Sequence, residues 1–354
     1  MYTQQPKKML IINILDILKK YTDENHRLSQ KEIVEILAKE YNMKCDRKSV
    51  KRNLMNLIDF GYDIEYSESI RMVKDPKTGE PEETYILSDF YLNREFSESE
   101  LRLLIDGILF SKHIPYSQCK ELVEKLEGLS NIYFKSVTKY IRSLPENVPK
   151  NRQLFYTLEI LDEAIGKNRQ VSFRYNEYGT DKKLHERKNA DNTVREYIIN
   201  PYQMAAANGR YYLICNYDKY DNLSNYRLDK ITDIKLLDTP RKPLKKVKGA
   251  EYGLDLPKHM AEHIYMFAGD SIRVEMRAKK YIVGDILDWF GKDVEFGDET
   301  DNEVTAAAYV NENAMRCWAM QYAPHVTVLS PKSLADSIKE NIRYAAENYG
   351  LKGE

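Results

Sequence analysis

REYIINPYQMAAANGRYYLICNYDKYDNLSNYRLDKITDIKLL, residues 195–237, sets the character of the middle of the chain. Short apolar runs here are cut by Gly, Asn and Asp. REYIIN at 195–200, RYYLICNY at 210–217, NYRLDKI at 225–231 and DIKLL at 233–237 read as strands, and VSFRY at 171–175 opens the series. Short strands parted by such turns predict a small barrel-like β domain. Charge marks the same region. Residues 166–248 hold 18 Lys and Arg against 10 Asp and Glu, a net of +8, and 9 of the chain's 27 tyrosines. Cations that track phosphates, interleaved with rings that stack on bases, suit a single-stranded nucleic acid. The competing reading is a barrel whose tyrosines fill its core and rim.

A basic, Pro-containing stretch follows at 240–249 and reads as a linker. The last hundred residues alternate in type. After a short helix near 257–267 come a strand (271–278), a helix (279–290), two strands (293–297 and 303–310), a helix (312–322), a strand (325–329) and a final helix (332–349). Strand-helix-strand-strand-helix-strand is the ferredoxin-like order.

Upstream of the barrel, residues 97–166 read as helix. Ser97 and Glu100 form a capping box before Leu101, Leu104, Ile105 and Ile108, and further helices cover about 117–129, 131–143 and 152–166. At the start of the chain, Leu10, Ile11, Ile14, Leu15 and Leu18 recur at helical spacing. Ser29 and Glu32 cap a second helix, and Asp46 starts a third that Gly61 ends. A strand through Tyr62, Ile64 and Tyr66 and a hairpin of 70–73 with 84–87 come next. Three helices and a hairpin outline a winged helix-turn-helix.

The third helix carries the sharpest local signal. Lys44, Arg47, Lys48, Lys51 and Arg52 stand against one acid, Asp46, and the cations lie opposite the apolar Val50, Leu54, Leu57 and Ile58. Such a helix fits the major groove: Lys and Arg neutralise phosphates, and Arg reads guanine bidentately. The alternative is a solvated charged face, and the helix before it and the hairpin after it favour DNA. In the hairpin, Arg71, Lys74 and Lys77 are placed to grip backbone or minor groove, against the acids Asp75, Glu80, Glu82 and Glu83.

Composition bounds the rest. The chain has 354 residues, 42% of them hydrophobic and 31% charged, which suits two or three globular domains. The net charge of −1 argues against a wholly basic nucleic-acid binder. No apolar run is long enough to span a bilayer. Lys7 and Lys8 precede apolar residues, but Asp16 interrupts the run and no small-residue cleavage site follows, so an amphipathic helix is expected there and not a signal peptide. Cys45, Cys119, Cys215 and Cys317 form no Cys-x-x-Cys pair and fit thiols of a reducing cytoplasm. His259-Met260-Ala261-Glu262-His263 matches the His-x-x-Glu-His zinc pattern, but no third ligand can be placed, and a short helix with incidental histidines is the expectation. No Gly-rich phosphate loop and no Gly-x-Ser-x-Gly elbow is present. Neither an enzyme nor a metal or cofactor is expected.

Four motifs in order resemble the WYL-domain family. Gly209-Arg210-Tyr211-Tyr212-Leu213-Ile214 is similar to its Gly-x-Trp-Tyr-Leu signature, with Tyr211 where Trp is usual. Asn200-Pro201-Tyr202 precedes it. Tyr226-Arg227-Leu228-Asp229-Lys230-Ile231 is similar to Phe-Arg-Leu-Asp-Arg-Ile, with Lys230 for the second Arg, and Val171–Tyr175 resembles the opening strand. Ser49-Val50-x-Arg52-Asn53-Leu54 resembles the Thr-Val-x-Arg-Asp-Leu of DeoR-type winged helices. Val328-Leu329-Ser330-Pro331 with Leu334 resembles the extension that often follows a WYL domain, and Trp318 fits its preceding helix. Gln321-Tyr322-Ala323-Pro324 stands where Phe-Gly is usual.

The resemblance implies a multidomain α+β transcriptional regulator. Its parts are a winged helix-turn-helix (1–91), a helical linker and dimerisation region (92–166), an SH3/Sm-like WYL barrel (167–240), a basic linker (241–254) and a ferredoxin-like extension (255–354). Double-stranded operator DNA is expected at Arg47, Lys48, Lys51, Arg52 and Lys74. A single-stranded nucleic acid or nucleotide effector is expected at Arg174, Tyr175, Tyr202, Tyr212, Arg227 and Lys230. For Arg227 the alternative is a salt bridge with Asp229 or Asp233. Lys230 lacks the bidentate fork of Arg. A homodimer and a cytoplasmic location are implied. The rival function is an accessory protein of an antiviral defence system that binds single-stranded RNA or DNA and modulates a nuclease.

Overall fold

Ile14, Ile17 and Leu18, a turn apart, bury one stripe of helix α1 (Leu10–Tyr21). Ile33 and Leu37 do the same for α2 (Gln30–Glu40), and Val50, Leu54 and Leu57 for α3 (Arg47–Phe60). The computed structural model describes residues 6–74, 81–111, 114–134 and 151–351. They form two compact units. The first comprises the described residues through Phe110 and from Tyr116 to Phe134, and the second the remainder.

In the first unit the expected caps are in place. Ser29 and Glu32 close a reciprocal box on α2, the Asp46 carboxylate accepts from the Ser49 N–H at 2.7 Å, and Gly61 ends α3 at φ 114°. Strand β1 (Ile64–Lys74) pairs antiparallel with β2 (Pro81–Leu92) in one continuous ladder, from Ile64 opposite Leu92 to Lys74 opposite Pro81. A strand followed by a separate hairpin was expected. Ser67–Ser69 break the apolar alternation, yet they contain no Gly or Pro to turn the chain, so the ladder runs through them with a bulge at Glu65–Ser67. The Arg94 guanidinium donates to the carbonyls of Thr22 (2.7 Å) and Lys19 (2.6 Å), closing the C-terminal end of α1. Helices α4 (Glu98–Leu109) and α5 (Tyr116–Glu127) pack around Leu101, Ile105 and Phe134. Of the helix expected at 131–143, Ile132–Phe134 form a turn and the part beyond lies outside the described residues.

The second unit begins with α6 (Leu154–Lys167), which Asn168 ends in the left-handed region at φ 56°. Strands β3 (Arg169–Tyr178), β4 (Leu184–Glu186), β5 (Glu196–Ala207), β6 (Arg210–Tyr217), β7 (Leu223–Arg227) and β8 (Ile231–Pro240) form one antiparallel sheet. Its order is β8-β3-β5-β6-β7, with β4 also on β3. A 3-10 turn, Leu228–Lys230, joins β7 to β8, so β7 is shorter than expected, and β5 extends to 207. Phe173, Tyr175, Tyr197, Leu213 and Cys215 fill the inner face, with Leu154 and Leu161 of α6 packed on them.

Strand β6 is buried on both faces. Leu213 and Cys215 point into that core, while Tyr212 and Ile214 point the other way. Their cover comes from the segment after β8. The Arg241 guanidinium donates to the Pro201 carbonyl at 2.5 Å and lies 5.1 Å over the Tyr202 ring, whose hydroxyl donates to the Lys242 carbonyl at 2.8 Å. Val247 and Ala250 are buried beside Tyr202. Farther on, α7 (Leu256–Glu262) and Met266 cover Tyr212 and Ile214. The stretch read as a linker is thus a strap folded onto the sheet. An apolar run such as YYLIC, with no alternation, is what a strand covered on both sides requires.

The last hundred residues follow the expected element order. Strands β9 (Ser271–Lys279), β10 (Glu295–Glu299), β11 (Glu303–Asn311) and β12 (Val326–Ser330) make an antiparallel sheet in the order β10-β11-β9-β12. Helices α8 (Val283–Phe290), α9 (Glu312–Gln321) and α10 (Lys332–Asn348) contribute to its core, centred on the fully buried Trp318 between Phe290 and Tyr322. Among the described residues no helix is long and apolar enough to cross a membrane. All four cysteines are free thiols.

Candidate nucleic-acid interface and ligand site

On α3 the buried stripe fixes where the cations go. With Val50, Leu54 and Leu57 inward, Arg47, Lys48 and Arg52 are exposed and Lys51 is half-buried. None of the four has an ion-pair partner among the described residues. Lys74 is the last residue of β1, Arg71 is exposed on the same strand, and Lys77 lies outside the described residues.

On the six-stranded sheet the six expected ligand residues divide. Arg227 sits at the end of β7, directly opposite Tyr212 on β6. Its guanidinium forks onto Asp229, Nε to Oδ1 at 3.0 Å and Nη2 to Oδ2 at 2.6 Å. The salt bridge weighed for Arg227 is therefore present. Arg210 joins the same carboxylate through Nη1 at 3.0 Å. Asp229 is only 5% exposed, while Arg227 keeps 25%. Burial lowers the pKa of the Arg227 side chain, and the bonds to Asp229 raise it by more. Lys230, beside them, is shifted down by burial and then by the Arg227 charge. Two guanidiniums and one ammonium around a single carboxylate leave a net positive, partly desolvated corner, which favours an anion.

The tyrosines serve differently from what base stacking asks. Tyr175 is 8% exposed, and its ring packs edge-on against Tyr226 and Tyr197 in the inner core. Its hydroxyl accepts from the Arg227 N–H at 3.2 Å, and burial pushes its pKa up to about 12. Tyr212 is buried beneath Met266 and Met260, and Tyr202 beneath the strap. All three rings are covered by protein, so the expectation that they stack on bases gives way to packing: rings of that area are worth more in a core than in water. Arg174 lies apart from Arg227, paired with Glu186 at 2.6 Å and Asp233 at 3.2 Å. Arg227, Tyr212, Tyr175 and Lys230 are brought together, whereas Arg174 and Tyr202 are not.

Sequence reasoning named Asp229 as a partner of Arg227 but missed Arg210 as its second. Arg210 is two residues before Tyr212 on one strand, hence on the same face, and that spacing could have found it. The zinc motif resolves into packing contacts. The rings of His259 and His263 stack at 4.1 Å; His259 Nε2 meets Asn225 Oδ1 at 3.3 Å, and His263 bonds the carbonyls of His259 and Gly269. Among the described residues no three His, Cys, Asp or Glu side chains gather to hold a metal ion.

The geometry agrees with two family matches. The WYL domain model matches residues 156–236, which include most of α6, and the WCX domain model matches residues 270–346. Comparison with curated proteins finds no match. Among solved structures the chain is similar to proteasome accessory factor B/C (PafBC) of Arthrobacter aurescens, at 16% identity and a TM-score of 0.28 over 98% of this chain and 49% of that one. It spans about half the length of that protein. It is also similar to a CRISPR Cas-related protein, at 12% identity and a TM-score of 0.36 over 100% of this chain and 89% of the other. The chain therefore carries a WYL domain at 156–236 and, behind it, a WCX domain at 270–346.

Proposed function

We propose that this protein is a cytoplasmic, homodimeric transcriptional regulator. In this reading a winged helix-turn-helix grips double-stranded operator DNA, and an SH3/Sm-like WYL barrel receives a nucleic acid or nucleotide effector. A ferredoxin-like WCX domain completes the chain, which performs no catalysis. The observation that carries the reading is the unneutralised face of α3. Arg47 and Lys48 sit in its first turn, where the positive end of the helix dipole opposes cations. Local stability does not ask for them there, and no carboxylate among the described residues answers them. A phosphate backbone does both. For the effector, support comes from Arg227, whose Nη1 makes no hydrogen bond among the described residues while Nε and Nη2 are held by Asp229. The corner is preorganised, with one donor edge left for an anion.

The test is binding of the full chain to a genomic fragment selected by the wild-type protein. Arg52→Ala is expected to weaken that binding about tenfold at low salt, with effector binding unchanged. Equal affinity of variant and wild type removes α3 from the interface. Sequence-independent single-strand binding with no selected duplex favours the defence-accessory function instead.

A further inference from the structure

The strap at 241–252 carries Arg241, Lys242, Lys245, Lys246 and Lys248 against one acid, Glu251. Its backbone is fixed. Arg241 is used inward on Pro201 and Tyr202, Val247 and Ala250 are buried, and the Lys248 N–H donates to the Asp221 carbonyl at 2.6 Å. That last bond ties the strap to the turn after β6, where Lys219 lies 5.8 Å over the ring of Tyr220. Lys242 is paired with Asp221 at 3.3 Å and Lys248 with Asp270 at 3.1 Å. Lys245 and Lys246 are exposed in a 3-10 turn and, like Lys219, have no ion-pair partner among the described residues. Two exposed tyrosines lie on the same two segments, Tyr220 half in solvent and Tyr252 wholly so. They are the exposed rings that Tyr175, Tyr202 and Tyr212 are not.

We propose that the strap and the 218–222 turn form a second nucleic-acid surface, holding the phosphate backbone of a single strand through Lys219, Lys245 and Lys246, with Tyr252 as a stacking platform. Cations without ion-pair partners, on segments that also carry exposed rings, are the chemistry of single-strand binding. The site is distinct from the Arg227 corner. Tyr212, opposite Arg227, and Asn216, opposite Leu223 beside the strap, are four residues apart on β6, roughly 13 Å. The inference rests on the reading that the WYL domain takes a nucleic acid, and it says where the backbone lies.

The experiment uses the full chain carrying Arg47, Lys48, Lys51 and Arg52 all changed to Ala throughout, so that α3 contributes little, and fluorescein-labelled dT20 followed by anisotropy from low to moderate salt. Changing Lys219, Lys245 and Lys246 together to Gln is expected to lower affinity at least tenfold at low salt and to flatten the log–log salt slope by about 2. Tyr252→Ala is expected to lower affinity about tenfold with the slope unchanged, because stacking releases no counterions. All four side chains are exposed, and unaltered melting temperatures confirm the fold of each variant. A triple-Gln variant with wild-type affinity and slope overturns the proposal, as does failure of the parent chain to bind dT20. Arg227→Gln separates the two readings. Loss in the triple variant with retention in Arg227→Gln keeps the strap and removes the corner, and the reverse removes the strap alone.

Discussion

At the scale of the residue, Asp229 decides what Arg227 can be. One carboxylate, 5% exposed, binds two guanidiniums, that of Arg227 through both oxygens. A salt bridge and a ligand contact are not rivals here. The fork on Asp229 orients the guanidinium through Nε and Nη2 and leaves Nη1 without a hydrogen bond among the described residues; in the proposed reading the carboxylate thereby positions it for an anion. Replacing it exposes the dependence. Asp229→Asn keeps the shape but leaves two partly buried cations without their counter-charge, and it is expected to cost about 3 kcal/mol in urea unfolding. A loss under 1 kcal/mol means that solvent already screens both arginines and that the cluster is a surface feature.

At the scale of the element, β6 shows what was legible and what was not. Its extent, 210–217, follows from the apolar run between Gly209 and Asp218. The caps of α2, α3 and α4 were equally plain, because Ser29–Glu32, Asp46–Ser49 and Ser97–Glu100 are each complete within four residues. The face of α3 was legible for the same reason: helical period alone sets Arg47, Lys48 and Arg52 opposite Leu54. The cover on the outer face of β6 was not, since it is supplied by Leu256, Met260 and Met266, some forty to fifty residues on. The burial of Tyr202 and Tyr212 was hidden with it, and so was the partnership of Arg210 with Asp229, which depends on how β6 meets the turn after β7. Two-sided burial makes a direct prediction. Ile214→Ala on the outer face is expected to destabilise the protein as much as Leu213→Ala on the inner one, about 3 kcal/mol each in urea melts. A cost near zero for Ile214→Ala means that the strap and α7 do not cover the strand in solution.

At the scale of the whole molecule, the net charge of −1 is a cancellation of +8 over residues 166–248 against −2 over 1–165 and −7 over 249–354, where 11 Lys and Arg face 18 Asp and Glu. Where the two fields meet, Lys248 pairs with Asp270, and His259 and His263 stack on each other in the segment between the strap and β9. His259 reaches Asn225 of β7, and His263 reaches Gly269, just before the WCX domain. Burial, and then the neighbouring His263 ring, depress the His259 pKa from 6.5 to about 4. The folded protein therefore holds this ring neutral where the unfolded chain protonates it. The stability that the neutral ring contributes is complete above pH 6.5, is lost progressively as pH falls from 6.5 to 4, and does not decline further below 4. The loss is on the order of 3 kcal/mol over that window. Other groups titrate in the same range, so the measurement is the difference between wild type and His259→Gln, followed by denaturant unfolding from pH 7.5 to 3.5. The wild-type advantage is expected to shrink between pH 6.5 and 4 and to be constant outside it. A difference independent of pH means that His259 is hydrated in both states, and that the junction between the WYL and WCX domains is open to water.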